Sequence, residues 1–183
     1  AKTLFPYTTL FLSANTTGSS NSAFGKYSLQ TNSTGIHNTA LGTEALFSSS
    51  TANFNTAVGS YALRSTTTGS DNVAVGYAAL YANTTGIDNN ALGFGSLAAN
   101  TTGNSNNSIG WYSLHANTTG SDNVAIGQNS MILNTTGAYN IALGTNALYS
   151  NTTSNKNIGI GFESLKNNTI GYQNTSIGEN ALH

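Results

Sequence analysis

The chain repeats itself every 17 residues, and this period restricts its possible folds more than any other feature. Gly25, Gly42, Gly59, Gly76, Gly93, Gly110, Gly127, Gly144, Gly161 and Gly178 are each 17 residues apart. Four residues before each lies an asparagine: Asn21, Asn38, Asn55, Asn72, Asn89, Asn106, Asn123, Asn140, Asn157 and Asn174. A period of this length held through ten copies indicates stacked coils, each touching only its neighbours. An apolar residue precedes each Gly (Phe24, Leu41, Val58, Val75, Leu92, Ile109, Ile126, Leu143, Ile160, Ile177), and before it stands a small one, mostly Ala. Four residues after each Gly comes Leu, replaced once by Met131.

A second glycine column, Gly18, Gly35, Gly69, Gly86, Gly103, Gly120, Gly137 and Gly171, follows N-T-T and is interrupted at Ala52 and Ser154. It predicts a corner with φ > 0, preceded by Asn and Thr that bond their own backbone. Between the corners, N-x-A-I-G has the length of one strand. The segment G-x-x-A-L-x-x fits either a second strand or about one helical turn, and Thr43-Glu44-Ala45-Leu46 has the form of a capped helix start. The expected fold is all-β, a β-solenoid or β-roll of ten 17-residue coils over residues 12–183. Residues 1–11 stand outside the repeat. The stretch from Leu4 to Ser13 resembles translated sequencing adapter, so it is read either as foreign sequence or as an apolar cap or donated strand. The start at Ala1 and the stop at His183 in mid-repeat are expected of a piece of a longer protein.

In such a stack, residues of one phase lie above one another. The recurrent Asn side chains should form an amide ladder, and the Ile/Val/Leu and Leu columns a dry core. At about 4.8 Å per strand, ten coils give a rod about 48 Å long. Two buried aliphatics per coil, about 1.5–3 kcal/mol each, fall short of a backbone ordering cost of about 1–2 kcal/mol per residue. Backbone ladders and an apolar contact between chains must add to them, which predicts self-association as a homotrimer.

Only 6% of the residues are charged, yet 38% are hydrophobic in a regular pattern, so the chain can bury a core. A net charge of -1, with five Lys and Arg spread along the length, gives no footprint for nucleic acid or an anionic membrane. No apolar run reaches the roughly 20 residues of a membrane span. Cysteine is absent, which removes disulfides and thiolate metal sites.

Catalytic constellations are lacking. His37, His115 and His183 form no HExxH arrangement, and no Ser sits in a G-x-S-x-G elbow. Glu44 and Glu163 share a phase but lie seven coils apart, too far for paired acid and base. Asp71, Asp88 and Asp122 share another phase without a calcium signature and read as a solvated corner. No enzyme activity, cofactor or metal is expected.

Surface columns offer binding candidates. Tyr77, Phe94 and Trp111 occupy one column on consecutive coils, with Tyr112 beside the last and Tyr61 in the column of Tyr112. They read as an aromatic ladder packed on itself or on a partner chain, or as a stacking platform for cell-surface glycans. Thr16, Thr67, Thr84, Thr101, Thr118, Thr135, Thr152 and Thr169 form a hydroxyl column beside a second one, an array also compatible with ice. The corners contain N-x-S/T sequons for N-glycosylation at Asn15, Asn32, Asn83, Asn100, Asn117, Asn134 and Asn151, residues that turn chemistry alone also explains.

The segment Asp122-Asn123-Val124-Ala125-Ile126-Gly127-Gln128-Asn129-Ser130, and Asp71 to Gly76 likewise, resembles the N-S-V-A-I-G-x-x-S coils of YadA-like heads in trimeric autotransporter adhesins. From Leu12 to His183 the chain is still more similar to the N-T-A-I-G-x-x-A-L-x-x-N-T-T-G repeats of phage tail-fibre-like proteins. The adhesin coils are usually shorter and lack the N-T-T-G corner. The resemblance implies a trimeric shaft or adhesive module exposed outside a cell or virion. An alternative, a filament subunit stacking end to end, is suggested by the absence of a polar cap at Asn180-Ala181-Leu182-His183.

Overall fold

The computed structural model describes residues 14–182, so the expectations for residues 1–11 and for His183 lie outside the described residues. Ten three-residue strands succeed one another: β1 (Ser22–Phe24), β2 (Thr39–Leu41), β3 (Thr56–Val58), β4 (Val73–Val75), β5 (Asn90–Leu92), β6 (Asn107–Ile109), β7 (Val124–Ile126), β8 (Ile141–Leu143), β9 (Ile158–Ile160) and β10 (Thr175–Ile177). They form one parallel sheet in chain order. The register equals the repeat: Ala57 of β3 lies opposite Ala74 of β4, and Ile109 of β6 opposite Ile126 of β7. The chain is a β-solenoid.

Each strand is short because the glycine after it bends the chain at φ between 126 and 139°, a region that side chains avoid. A Cβ at Gly76 would also stand 2.5 Å from the Gly93 carbonyl oxygen of the next coil.

Beyond the bend, the chain takes neither of the two forms predicted for it. Among the described residues there is no helix and no second strand; G-x-x-A-L-x-x is a run of turns. The residue two after each glycine is left-handed, as Glu44 is at φ 55°, and so is every residue of the Leu column, at φ between 49 and 55°. A right-handed helix cannot continue through Glu44 and Leu46, which is why the apparent capped start at Thr43 leads nowhere. The two left-handed residues turn their amides to opposite neighbours. Glu44 N donates back to Lys26 O at 2.8 Å, and Leu46 N forward to Ala62 O at 3.0 Å. The bend thereby becomes a rung of the backbone ladder. A left-handed residue other than Gly costs about 1–3 kcal/mol, of the same size as the about 1.5–3 kcal/mol gained by burying its leucine.

The core is narrower than the sequence suggested. Leu29, Leu46, Leu63, Leu80, Leu97, Leu114, Met131 and Leu148 are fully buried, and the middle residue of each strand and the Ala or Ser before each of these eight are buried with them. The Ile/Val/Leu column, assigned to the core from its size, lies outside: Ile109 is 41% exposed. Strand alternation gives the reason. The pattern in β6 is exposed, buried, exposed, so only the middle residue points inward, and the opposing leucine leaves it room for Ala, Ser or Gly. Where Ser enters this interior it is paired. Ser96 Oγ donates to Ser108 O at 3.0 Å and to Ser108 Oγ at 2.8 Å, and Ser164 bonds Ser176 in the same way at 3.2 and 3.0 Å.

The second glycine column also acts differently from expectation. None of its members has positive φ; they are small because the coils close tightly there. A Cβ on Gly103 would lie 2.3 Å from Gly120 O and 2.5 Å from Asn100 Oδ1.

Candidate functional site

Two asparagine ladders set the spacing of everything on the surface. In the strand-side ladder, Asn106 Nδ2 donates to Asn89 Oδ1 at 3.1 Å and to Gly120 O at 2.9 Å. Asn106 Oδ1 in turn accepts from the backbone N and the Nδ2 of Asn123, both at 3.1 Å. The same contacts recur at Asn38, Asn55, Asn72, Asn89 and Asn123. A second ladder runs through the corner. Asn100, Asn117, Asn134 and Asn151 each donate to the asparagine one coil earlier at 2.8–3.0 Å and to a carbonyl three residues on.

This corner ladder decides the sequons. The amides of Asn32, Asn83, Asn100, Asn117, Asn134 and Asn151 are fully buried and their Nδ2 atoms are already donors inside the corner, while that of Asn15 donates to Gly18 O at 2.8 Å. A glycan on any of the six buried nitrogens is incompatible with this fold. Of the two readings of these sequons, turn chemistry is the one that these six buried side chains fit. The neighbouring threonines are also structural. Thr67, Thr84, Thr101, Thr118 and Thr135 donate their hydroxyls to carbonyls of the next coil at 3.0–3.1 Å, so these protons do not face solvent. Asp71, Asp88 and Asp122 sit exposed at left-handed corners, φ 57–60°, a conformation that Asp tolerates well.

Two surfaces remain unexplained by the fold. The first is the outer face of the sheet, where the column of Phe24, Leu41, Leu92, Ile109, Ile126 and Ile177 is exposed, with Val73 beside it. This stripe runs through all ten strands, half-buried at its remaining positions, and none of the described residues covers it.

The second is an aromatic ladder. Tyr77 and Phe94 stack with ring centroids 5.0 Å apart and planes inclined by 14°. Phe94 meets Tyr112 edge-on at 5.4 Å, and Trp111 leans on Tyr112 at 4.3 Å. Gly95 makes room for this: a Cβ there would fall 2.5 Å from the Tyr112 ring, and its carbonyl bonds His115 Nδ1 at 2.9 Å. Tyr77 and Phe94 therefore turn a face to each other, so the column does not present a row of open faces.

The ladder stops at Tyr77, because its column holds Ser60 one coil earlier. There Tyr61 stands perpendicular to Tyr77 at 5.6 Å, and a shallow groove of about 440 Å³ opens between Glu44, Tyr61, Arg64, Tyr77 and Tyr81. Arg64 Nε donates to Glu44 Oε2 at 2.6 Å and Nη1 to Tyr81 OH at 3.4 Å, with the guanidinium 5.2 and 5.7 Å from the Phe47 and Tyr81 ring centres. The hydrogen bond to Glu44 raises the Arg64 pKa above its ordinary value, burial opposing it. Glu44, Arg64 and Tyr81 escape sequence reading as a site. The available signal is that the only arginine of the chain lies 20 residues, one coil and three positions, after a glutamate.

Comparison with protein-family models, with curated proteins and with solved structures finds no match. Among the described residues, no group of three or more His, Cys, Asp or Glu side chains is arranged to hold a metal ion. No helix among them is long and apolar enough to cross a membrane.

Proposed function

We propose that the chain is a structural shaft or adhesive module of an extracellular fibre, not an enzyme, and that copies of it assemble through the outer face of the sheet. The observation that carries this reading is the apolar stripe from Phe24 to Ile177, exposed or half-buried in every coil. Soluble chains rarely leave so long a contiguous apolar strip uncovered. Its footprint, ten strands at about 4.8 Å by three residues at about 3.3 Å, is roughly 500 Å² before side-chain relief is counted, of the order of the about 800 Å² each partner gives to a stable interface. A second copy is the occupant favoured, because the same stripe shares its length and coil spacing. Three such faces around one axis would leave each chain covered by two neighbours, as the resemblance to tail-fibre-like and YadA-like coils implies.

End-to-end stacking into a filament is the second reading. It is favoured by β1 and β10, each of which pairs on one side only among the described residues.

Sedimentation at micromolar concentration tests both. A trimer of 18.8 kDa chains is expected, reduced to monomer by Ile109→Asp with Ile126→Asp while circular dichroism is kept. A wild-type monomer would remove the shaft reading, and rods that lengthen with concentration in negative-stain micrographs would put the filament first.

A further inference from the structure

The groove at the end of the aromatic ladder is separate from the sheet face, and its chemistry is specific. It gathers side chains from three successive coils: Glu44 from one, Tyr61 and Arg64 from the next, Tyr77 and Tyr81 from the third. Their backbone is fixed by ladder bonds, such as Tyr61 N to Thr43 O at 2.9 Å, so the site is formed before any ligand arrives. Tyr77 as a residue is 49% exposed although Phe94 lies against its ring.

We infer that this groove binds a neutral carbohydrate, with one sugar ring seated against Tyr77 and its hydroxyls on the Arg64–Glu44 pair. The volume of about 440 Å³ lies within the roughly 300–1,000 Å³ of small-molecule sites and suits one or two sugar rings. Two tyrosines at right angles, inclined by 84°, form a corner whose apolar faces match the C–H faces of a pyranose. Beside them a guanidinium and a carboxylate are held together, with side chains 32% and 20% exposed. Vicinal sugar hydroxyls each donate and accept, and a fixed donor beside a fixed acceptor meets both needs. The two charges cancel, which disfavours an acidic sugar against Glu44 and a cation against Arg64.

Sequence alone places the sugar platform on Tyr77, Phe94, Trp111 and Tyr112. The ring geometry moves it to the open end of that ladder. Sugar binding in the groove goes beyond the shaft reading and does not depend on it, since every residue of the groove comes from one chain.

The test is a printed array of neutral and acidic oligosaccharides probed with the labelled protein, followed by calorimetry on the strongest neutral binder. Capture of neutral glycans is expected, weakened at least tenfold by Arg64→Met and by Tyr77→Ala, and unchanged by Tyr139→Ala, whose exposed ring lies in the corner column. Arg64→Met keeps an unbranched side chain while removing the guanidinium, its bond to Glu44 and its place over Phe47. The inference is overturned if no neutral glycan is captured, if acidic glycans are preferred, or if both groove variants retain wild-type affinity. Light scattering on the same samples reports the oligomer independently, so a wild-type trimer that captures no sugar counts against the groove alone.

Discussion

The corner ladder is unbroken from Asn83 to Asn151 but fails at the two preceding coils, where Ser49 and Thr66 take the place of asparagine. In the unbroken part every amide from Asn100 to Asn151 has a donor and an acceptor along the axis. At the break three buried polar atoms are left without partners: Asn32 Oδ1, Ser49 Oγ and Thr66 Oγ1. The strand-side ladder a few residues away runs straight through the same coils, with Asn55 and Asn72 fully bonded. The two ladders are not equivalent. The strand-side asparagine also caps a backbone N–H of its neighbour, whereas the corner amide bonds only other corner groups, so the corner can lose rungs and the solenoid still closes.

The largest effect should therefore come from the strand-side ladder. Asn106→Ala removes acceptors for the backbone N–H and the amide of Asn123 and a donor for Gly120 O. With orphaned buried groups costing about 1–3 kcal/mol each and partly relieved by relaxation, a loss of about 3–4 kcal/mol is expected. Asn117→Ala in the intact corner should cost about 2–3 kcal/mol. Asn32→Ala, whose oxygen already lacks a partner, should cost about 1 kcal/mol. Urea unfolding of the three variants orders them, and equal losses would refute the distinction between the ladders. Amide hydrogen exchange should also show the coils around Ser49 and Thr66 opening before those around Asn117.

Period, coil number, strand position and the strand-side ladder were legible because each is a column of one residue type in fixed phase. The inward face was not, because a strand of three residues, such as Val124-Ala125-Ile126, alternates only once and size pointed the wrong way. A usable signal was variability. The Ala column admits only Ala, Ser and Gly, as a close-packed interior requires, while the column beside it ranges from Val58 to Phe24. The left-handed turns were hidden because leucine is a poor marker of positive φ; only Gly95, Asn129, Asn146 and Asn180 in the column two before it hint at them. The groove at Tyr77 depends on side chains 20 residues apart, Glu44 and Arg64, that no single-repeat pattern connects.

The break at Ser49 coincides with a second interruption. Ala52 interrupts the glycine column in the same coil in which Ser49 interrupts the asparagine column. A Cβ here does not require a shorter side chain three residues earlier: Ser154 follows Asn151, whose Nδ2 still donates to Asn134 Oδ1 at 3.0 Å and to Ser154 O at 3.1 Å. Ser49→Asn alone should therefore stabilise by about 1 kcal/mol, because Nδ2 of the new residue reaches the orphaned Asn32 Oδ1. With Ala52→Gly also present, the effect of Ser49→Asn should be the same within about 0.5 kcal/mol. A double-mutant cycle in urea checks this: additive changes are expected, and a coupling of about 2 kcal/mol or more would show that Ala52 excludes an asparagine at position 49.

The smallest effect separates two adjacent threonines. Thr66 is fully buried with an unpartnered hydroxyl, while Thr67 donates its hydroxyl to Thr84 O at 3.1 Å. Valine has nearly the shape of threonine without its polar atom, so the substitution reads the hydroxyl alone. Thr66→Val removes a desolvated group that receives nothing in return and should stabilise by about 0.5–1 kcal/mol; Thr67→Val removes one donor from Thr84 O, which keeps the backbone N–H groups of Thr67, Thr68 and Gly69, and should destabilise by about 0.5 kcal/mol. Opposite signs at neighbouring positions exclude an explanation by β-propensity, since valine would favour both alike. If Thr66→Val instead destabilises, its hydroxyl is satisfied in solution, and the difference between broken and unbroken corner is smaller than the bonding of the protein atoms implies.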